Sequence, residues 1–280
     1  MVLPPIACSV RSCGRPLVRD SGRVVCEAGH AFDVARSGYL SLLQPQDRRS
    51  RTPGDTKEAV AARARLLEAG IGRAAIDAIA SRAPSSGGVL IAADLGCGSG
   101  ELLGALAAFR DVCGAGIDLS TAAVERAARR YPALTWVVAN ADRRLPLLDG
   151  SVHLVVSLNG RRNPDECARV LVPDGTLIVG VPAADDLIEL RAAVQGEGVA
   201  RERVEAVVAA HAARFVLVER VTVRERQRLG GEALRDLLQS TYRGARTSAT
   251  ARVEALGVLD VTLSTDVCVF SRGREQAREP

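Results

Sequence analysis

The segment Ala93-Asp94-Leu95-Gly96-Cys97-Gly98-Ser99-Gly100-Glu101 decides how this chain folds. It ends the apolar run VLIAADL (89–95) and leads into a helical pattern that continues to about Phe109. At such a junction a strand's carboxyl end and a helix N-terminus converge on a ligand, and glycines lacking Cβ let backbone amides approach it closely. The dinucleotide fingerprint G-x-G-x-x-G fails in both registers, because its third glycine would fall on Glu101 or Leu103.

Outward from this loop, apolar runs bounded by glycine alternate with helical patterns. CGAGIDLS (113–120) precedes a helix from Ser120 to Arg130. LTWVVANAD (134–142) and SVHLVVSLN (151–159) follow, then a helix opened by Asn163-Pro164, a tight turn at Val172-Pro173-Asp174-Gly175-Thr176, and TLIVGVP (176–182). This alternation predicts an α/β fold with a Rossmann-like, doubly wound, mostly parallel sheet. Two late strands, 215–226 and 259–270, flank a helix around Gly231 to Tyr242. Asp118 ends the second strand of the series, where a carboxylate can accept both hydroxyls of a ribose, whether of a nicotinamide or another nucleoside cofactor.

Residues 1–45 differ from the rest: three of the seven cysteines and short apolar pieces (Arg23 to Val25, Ala31 to Val34, Tyr39 to Leu43) separated by glycine suit small hairpins. Cys8, Cys13, Cys26 and His30 have the spacing C-x4-C-x12-C-x3-H, two knuckles bracketing a hairpin, as a closed tetrahedral zinc site requires. The plainer reading is three reduced cysteines beside an unrelated histidine. Cys97, Cys113, Cys167 and Cys268 lack ligand spacing and read as small buried hydrophobes. Residues 46–88 read as a basic linker with helices, one opening at Asp55-Thr-Lys-Glu58, an N-cap with an acid three residues on. The expected organisation is a zinc-binding module at 1–45, the linker at 46–88, a catalytic domain at 89–272 and a flexible tail at 273–280.

At 47% hydrophobic and 25% charged residues the chain is globular, and no run of eighteen apolar residues or signal-like start occurs. The expected compartment is a reducing cytoplasm, with no membrane partner. The net charge is only +4, yet of 37 Lys+Arg only Lys57 is lysine. Arginine forks suit phosphate, although a GC-rich genome alone explains the bias.

An acid followed by G-x-G-x-G resembles motif I of the class I S-adenosylmethionine (SAM)-dependent methyltransferases. Taken with the zinc segment, Ala31-Phe32-Asp33-Val34-Ala35-Arg36-Ser37-Gly38-Tyr39 and Arg49-Ser50-Arg51-Thr52-Pro53-Gly54-Asp55, the chain resembles the bacterial 23S rRNA (guanine-N1) methyltransferase family, which includes the tylosin-resistance methyltransferases. The resemblance implies a cofactor pocket at Asp94, Gly96, Cys97, Gly98, Leu102, Leu103, Asp118, Leu119, Asn140, Ala141 and Asp142, zinc on Cys8, Cys13, Cys26 and His30, and RNA as substrate. Departures fall on the acceptor side. Leu158-Asn159-Gly160-Arg161-Arg162 stands where the family has an aromatic-Ala-Pro stretch, Asp186 replaces a histidine, Gly72 an aromatic, Ser240-Thr241-Tyr242-Arg243 a Met-Thr-Pro segment, and Ala245 a Trp that follows it in some members.

Methyl transfer needs donor and nucleophile held at near-attack distance, and guanine N1 must lose a proton. Asn159 and Asp186 are the candidates for the target pocket. Arg48, Arg49, Arg51, Arg161 and Arg162 are the candidates for phosphate contact. Tyr39 and Tyr242 are candidates for base stacking, whereas Trp136 and Tyr131 read as core. His153 reads as packed, and His211 has no partner that the sequence identifies. The residues leave open an acceptor other than 23S rRNA, either another RNA or a small molecule, and a zinc-bearing RNA-binding or resistance factor without catalysis. They also leave open the oligomeric state, a homodimer included.

Overall fold

The computed structural model describes residues 3–44, 54–85, 87–196, 200, 202–241, 253 and 255–273. Strands β1 (Val18–Asp20), β2 (Arg23–Val25) and β3 (Ala31–Asp33) form a small antiparallel sheet. Then come β4 (Leu40–Ser41), α1 (Lys57–Glu68), α2 (Arg73–Ala80), β5 (Leu90–Leu95), α3 (Glu101–Phe109), β6 (Val112–Asp118), α4 (Thr121–Arg130), β7 (Thr135–Val138) and β8 (Val152–Leu158). The chain continues through α5 (Pro164–Val170), β9 (Leu171–Pro182), α6 (Ile188–Gln195), α7 (Val204–His211), β10 (Phe215–Gly230), α8 (Gly231–Thr241) and β11 (Val258–Arg272).

The large sheet has the order β10-β11-β9-β8-β5-β6-β7-β4. Its β4 to β9 members run parallel, while β11 and β10 add an antiparallel edge. Chain order reverses between β5 and β8, and the crevice at their carboxyl ends is where an open α/β sheet binds its ligand. The doubly wound expectation holds because each central strand is buried on both faces. Along β5, Ala93 and Leu95 join one core, whereas Leu90 and Ala92 join the other with Leu103, Trp136 and Ile178.

The first core contains Ile6, Leu17 and Val24 of the N-terminal segment, which therefore covers part of one sheet face. Burying each such side chain contributes about 1.5–3 kcal/mol. Backbone bonds from Ala7 N to Pro146 O (3.0 Å) and Leu148 N to Pro5 O (2.9 Å) fasten it there.

Three local expectations need correction. Tyr39 to Leu43, read as a piece of a module hairpin, instead supplies β4, with Leu40 paired to Val137. Helix α1 is capped by Thr56, whose hydroxyl accepts from Ala59 N at 3.2 Å, rather than by Asp55. Asp55 is drawn away by an ion pair with Arg63 (3.0 Å). The Val172–Thr176 turn lies inside β9, as an excursion where the β8 register jumps from Val152↔Leu171 to Leu154↔Thr176.

Candidate functional site

A cavity of about 1280 Å³ opens where β5, β6 and β8 end. That exceeds the roughly 300–1,000 Å³ of a single small-molecule site, leaving room for a cofactor and a second reactant. Asp94, Gly96, Cys97, Gly98, Leu102, Asp118, Leu119, Asn140, Ala141 and Asp142 all line it. Leu103 does not. One residue round α3 from Leu102, it is fully buried and faces Gly114 in the core, because successive helical positions differ by about 100°.

The loop half of the cavity is acidic. Asp94 is 2% exposed, and burial, with the charges of Asp118 and Glu101 added, holds its carboxyl well above the ordinary range. Burial also raises Asp118, although N–H donors from Ser120 (2.8 Å) and Gly98 (3.0 Å) partly offset the shift. Those two bonds take one acceptor position on each oxygen, so Asp118 retains capacity for ligand hydroxyls. Glu101, itself buried, is the third acid of this half and accepts from Ser99 Oγ at 2.8 Å. This field opposes a pyrophosphate and favours a ligand carrying positive charge. The Cys97 thiol is pushed far up by burial and then by the same acids, which leaves it a neutral wall group.

The chain at 158–162 closes against the glycine loop. Gly96 has φ +75°, and a Cβ there would lie 2.7 Å from Gly160 Cα; a Cβ on Gly160 would overlap Leu95 O. Two backbones touch here, which only paired glycines permit. The exposed Asn159 lines the cavity in the left-handed region (φ +58°). Arg161 also lines it, 84% exposed and paired with Asp142 at 3.1 Å. Arg162 departs from its phosphate-contact expectation. Its guanidinium turns inward to Gly160 O (3.0 Å) and His211 Nε2 (3.4 Å), and burial lowers its pKa.

His211 therefore has partners that the sequence concealed. It stacks on Phe270 at 5.1 Å, and Nδ1 donates to Val207 O at 2.7 Å, leaving Nε2 as the acceptor for Arg162. Burial lowers its pKa and keeps it neutral. His153 accepts the Ile91 N–H at 3.1 Å, as a packed histidine. Trp136 is fully buried, with Nε1 donating to Tyr131 O at 2.9 Å. Tyr39 packs against the second core.

The far half of the cavity is bounded by Ile71, Ala75, Leu187, Val223, Leu237 and Leu263, a mostly apolar wall. Two carboxylates interrupt it. Asp186 accepts the Ser264 N–H at 3.0 Å; burial raises its pKa to about 6 against the opposing pull of Ser264, Arg191 and Arg203. Glu225 accepts the Gly72 N–H at 2.6 Å. Sequence reasoning missed Glu101, Glu225 and the Arg63–Asp55 pair, all of which line the cavity. Only Glu101 had a local signal, as an acid in a helix's first turn, and that signal says nothing about burial.

In the N-terminal module, ligand atoms of Cys8, Cys13, Cys26 and His30 all lie within 4.8 Å of one another. Cys13 and Cys26 Sγ are 3.8 Å apart, and His30 Nδ1 is 3.5 Å from Cys8 and Cys26 Sγ. A tetrahedron with metal–sulfur bonds of roughly 2.3 Å has edges near 3.8 Å, so the donor set fits zinc. All seven cysteines are free thiols. Arg48, Arg49, Arg51, Tyr242, Arg243 and Ala245 lie outside the described residues.

A methyltransferase-domain profile matches residues 92–175, and one described as the RlmA N-terminal zinc ribbon matches residues 8–51. The 23S rRNA (guanine(748)-N(1))-methyltransferase of Streptomyces fradiae is 40% identical over 182 residues, 64% of each chain, so this chain spans just under two thirds of that relative. A Micromonospora griseorubida protein, provisionally named a 23S rRNA (guanine-N(1)-)-methyltransferase, is 37% identical over 211 residues, 68% of this chain and 69% of its own. Among solved structures, the (4+2)-cyclase SpnF superposes with a TM-score of 0.52 at 18% identity, covering 79% of this chain and 98% of that one. That likeness shows the fold alone.

Proposed function

The chain belongs to the 23S rRNA (guanine-N1) methyltransferase family, and on that premise we propose that it transfers the methyl group of SAM to N1 of a guanine in 23S rRNA. The observation that carries this reading is the cavity itself: a glycine-lined acidic half beside an apolar half with two carboxylates, joined in one volume. When bound, SAM supplies a methyl carbon made electrophilic by its sulfonium. Asp94 and Glu101 offset positive charge beside the loop, and Gly96 and Gly98 present backbone to the donor's amino-acid end. Asp118 accepts ribose hydroxyls, and the turn at Asn140, Ala141 and Asp142, held by Asn140 Oδ1 accepting from Asp142 N at 3.0 Å, borders the adenine.

Holding two reactants at near-attack distance supplies most of the acceleration of an in-line displacement. Asp186 receives the N1 proton of the guanine. Its carboxylate, raised to about 6, is ionised at neutral pH yet basic enough to take a proton. Asn159 borders the incoming base. The flipped base enters alone, because the acids within repel its phosphates. Arg161 lines the cavity and is exposed enough to meet the backbone outside, and Arg48, Arg49 and Arg51 are further candidates for phosphate contact by their sequence alone.

Residues 1–45 hold a structural zinc that orders the small sheet, residues 46–88 carry the linker and its helices, and residues 89–272 carry catalysis. The substrate places the protein in the cytoplasm; among the described residues no helix is long and apolar enough to cross a membrane. Incubation with 23S rRNA lacking the modification and methyl-labelled SAM, followed by nucleoside mass spectrometry, is expected to yield labelled 1-methylguanosine. An unlabelled rRNA, or label on another nucleoside, overturns the assignment.

A further inference from the structure

We propose that the groove between α1 and α4 is a docking track for the phosphate backbone of the RNA substrate, a reading that rests on the RNA activity proposed above. The groove measures about 580 Å³ and is lined by Lys57, Arg126, Arg129 and Arg130, with Glu68 and Glu125 as its two acids. Its basic face follows from the sequence of α4. That helix buries Ala123, Val124, Ala127 and Ala128 against the sheet, so Arg126, Arg129 and Arg130 share the opposite side.

The acids organise this face without cancelling it. One oxygen of Glu68 accepts from both Arg126 Nη2 (3.2 Å) and Arg130 Nη1 (2.7 Å), which ties α1 to α4 and aims two guanidiniums together. Arg130 also lies over the Tyr131 ring at 5.6 Å. Arg129 donates to Glu125 at 2.6 Å and is 69% exposed. Each guanidinium carries five N–H donors, so these pairs leave donors for phosphate oxygens.

The groove adjoins the cavity along the chain. Leu119 lines the cavity and Ala122 lines the groove, less than one helical turn apart; Asp55 lines the cavity and Lys57 the groove. From Ala122 to Arg130 the track runs about 12 Å along α4. Charge thus differs across this boundary: Asp94, Glu101 and Asp118 gather around the glycine loop inside the cavity, while four cations against two acids line the groove outside it, where the phosphates of a bound RNA are placed.

The test is equilibrium binding of the full chain to unmodified 23S rRNA transcript across a salt series, with SAM affinity measured in parallel. The double variant Lys57→Glu, Arg129→Glu changes exposed positions only. It is expected to weaken RNA binding about tenfold or more near physiological salt and to reduce the log–log salt slope by about 1 to 2. SAM affinity is expected to be unchanged, which reports that the variant is folded. The same charge change at Arg226 and Arg228, exposed on β10 at the opposite edge of the sheet, is expected to leave the slope within error of wild type. Unchanged RNA affinity and slope in the groove variant, or an equal loss in the β10 variant, overturns the track. A wild-type protein that binds SAM but neither binds nor methylates rRNA removes the functional reading and the track with it; methylation by wild type with an unaffected groove variant removes the track alone.

Discussion

Gly160 and Asp186 carry the most at the scale of single residues. Gly160 lets the 158–162 segment rest on the glycine loop, where any side chain would meet Leu95 O. Gly160→Ala is expected to cost about 1–3 kcal/mol, as overpacking at an unyielding contact does, and to weaken SAM binding with it. Chemical denaturation and calorimetry read the two effects, and a variant with both unchanged would show that the loops do not depend on each other. Asp186→Asn is expected to lower kcat about 100-fold or more with little change in SAM affinity. In the wild type the rate is expected to fall as pH drops through about 6, where the carboxylate protonates; a pH–rate profile of the variant should lack that limb. The same raised pKa means that burying ionised Asp186 is unfavourable. Its stability contribution is present below the ordinary carboxylate range and lost as pH rises through about 6, so Asp186→Asn should be no less stable at pH 8.

Among the elements, the N-terminal module shows how a metal substitutes for a core. Its three strands have three residues each, too short to hold together by their own burial, and its apolar side chains pack onto the sheet. Cys8 and Cys13 precede β1, and Cys26 and His30 lie between β2 and β3. Cys26→Ser, or treatment with a strong chelator, is expected to release zinc and to raise amide exchange in β1 to β3 far more than in β5 to β9. Metal analysis with hydrogen exchange checks this, and a folded module without metal in the wild type would refute the zinc assignment. Because β4 pairs with β7 and the module touches 145–148, some loosening should reach β7 as well.

Across the whole molecule, a net charge of only +4 conceals two local fields: the carboxylates of Asp94, Glu101 and Asp118 around the glycine loop and the arginines of α4 outside the cavity. The two ligands therefore should respond to salt differently. RNA affinity is expected to fall steeply between about 50 and 200 mM salt through counterion release, whereas SAM affinity, set in a sheltered site, should change little. Parallel titrations over that range check the difference; equal slopes would mean that the basic surface does not contact RNA. The fold contributes by placing the switch point of the sheet where these fields meet.

Much of this was legible in the sequence, and for an identifiable reason. Strands buried on both faces show as uninterrupted apolar runs, glycines must occur where backbone meets ligand, and zinc ligands obey fixed spacing; each is a local rule, readable one segment at a time. Asp94, Gly96, Gly98 and Asp118, which line the cavity, and Cys8, Cys13, Cys26 and His30, whose donor atoms cluster, were legible that way. Of the half with the apolar wall only Asp186 was singled out, because that half is assembled from α1, α2, β10, α8, β11 and the start of α6, whose meeting is a matter of long-range packing. Helical phase turned Leu103 into the core, a buried histidine drew Arg162 inward, and Glu225 reached Gly72 across 153 positions of chain. Sequence alone thus determined the sheet, the glycine loop and the cysteine–histidine cluster, while tertiary structure decided which distant side chains share the apolar half of the cavity and where the positive charge lies outside it.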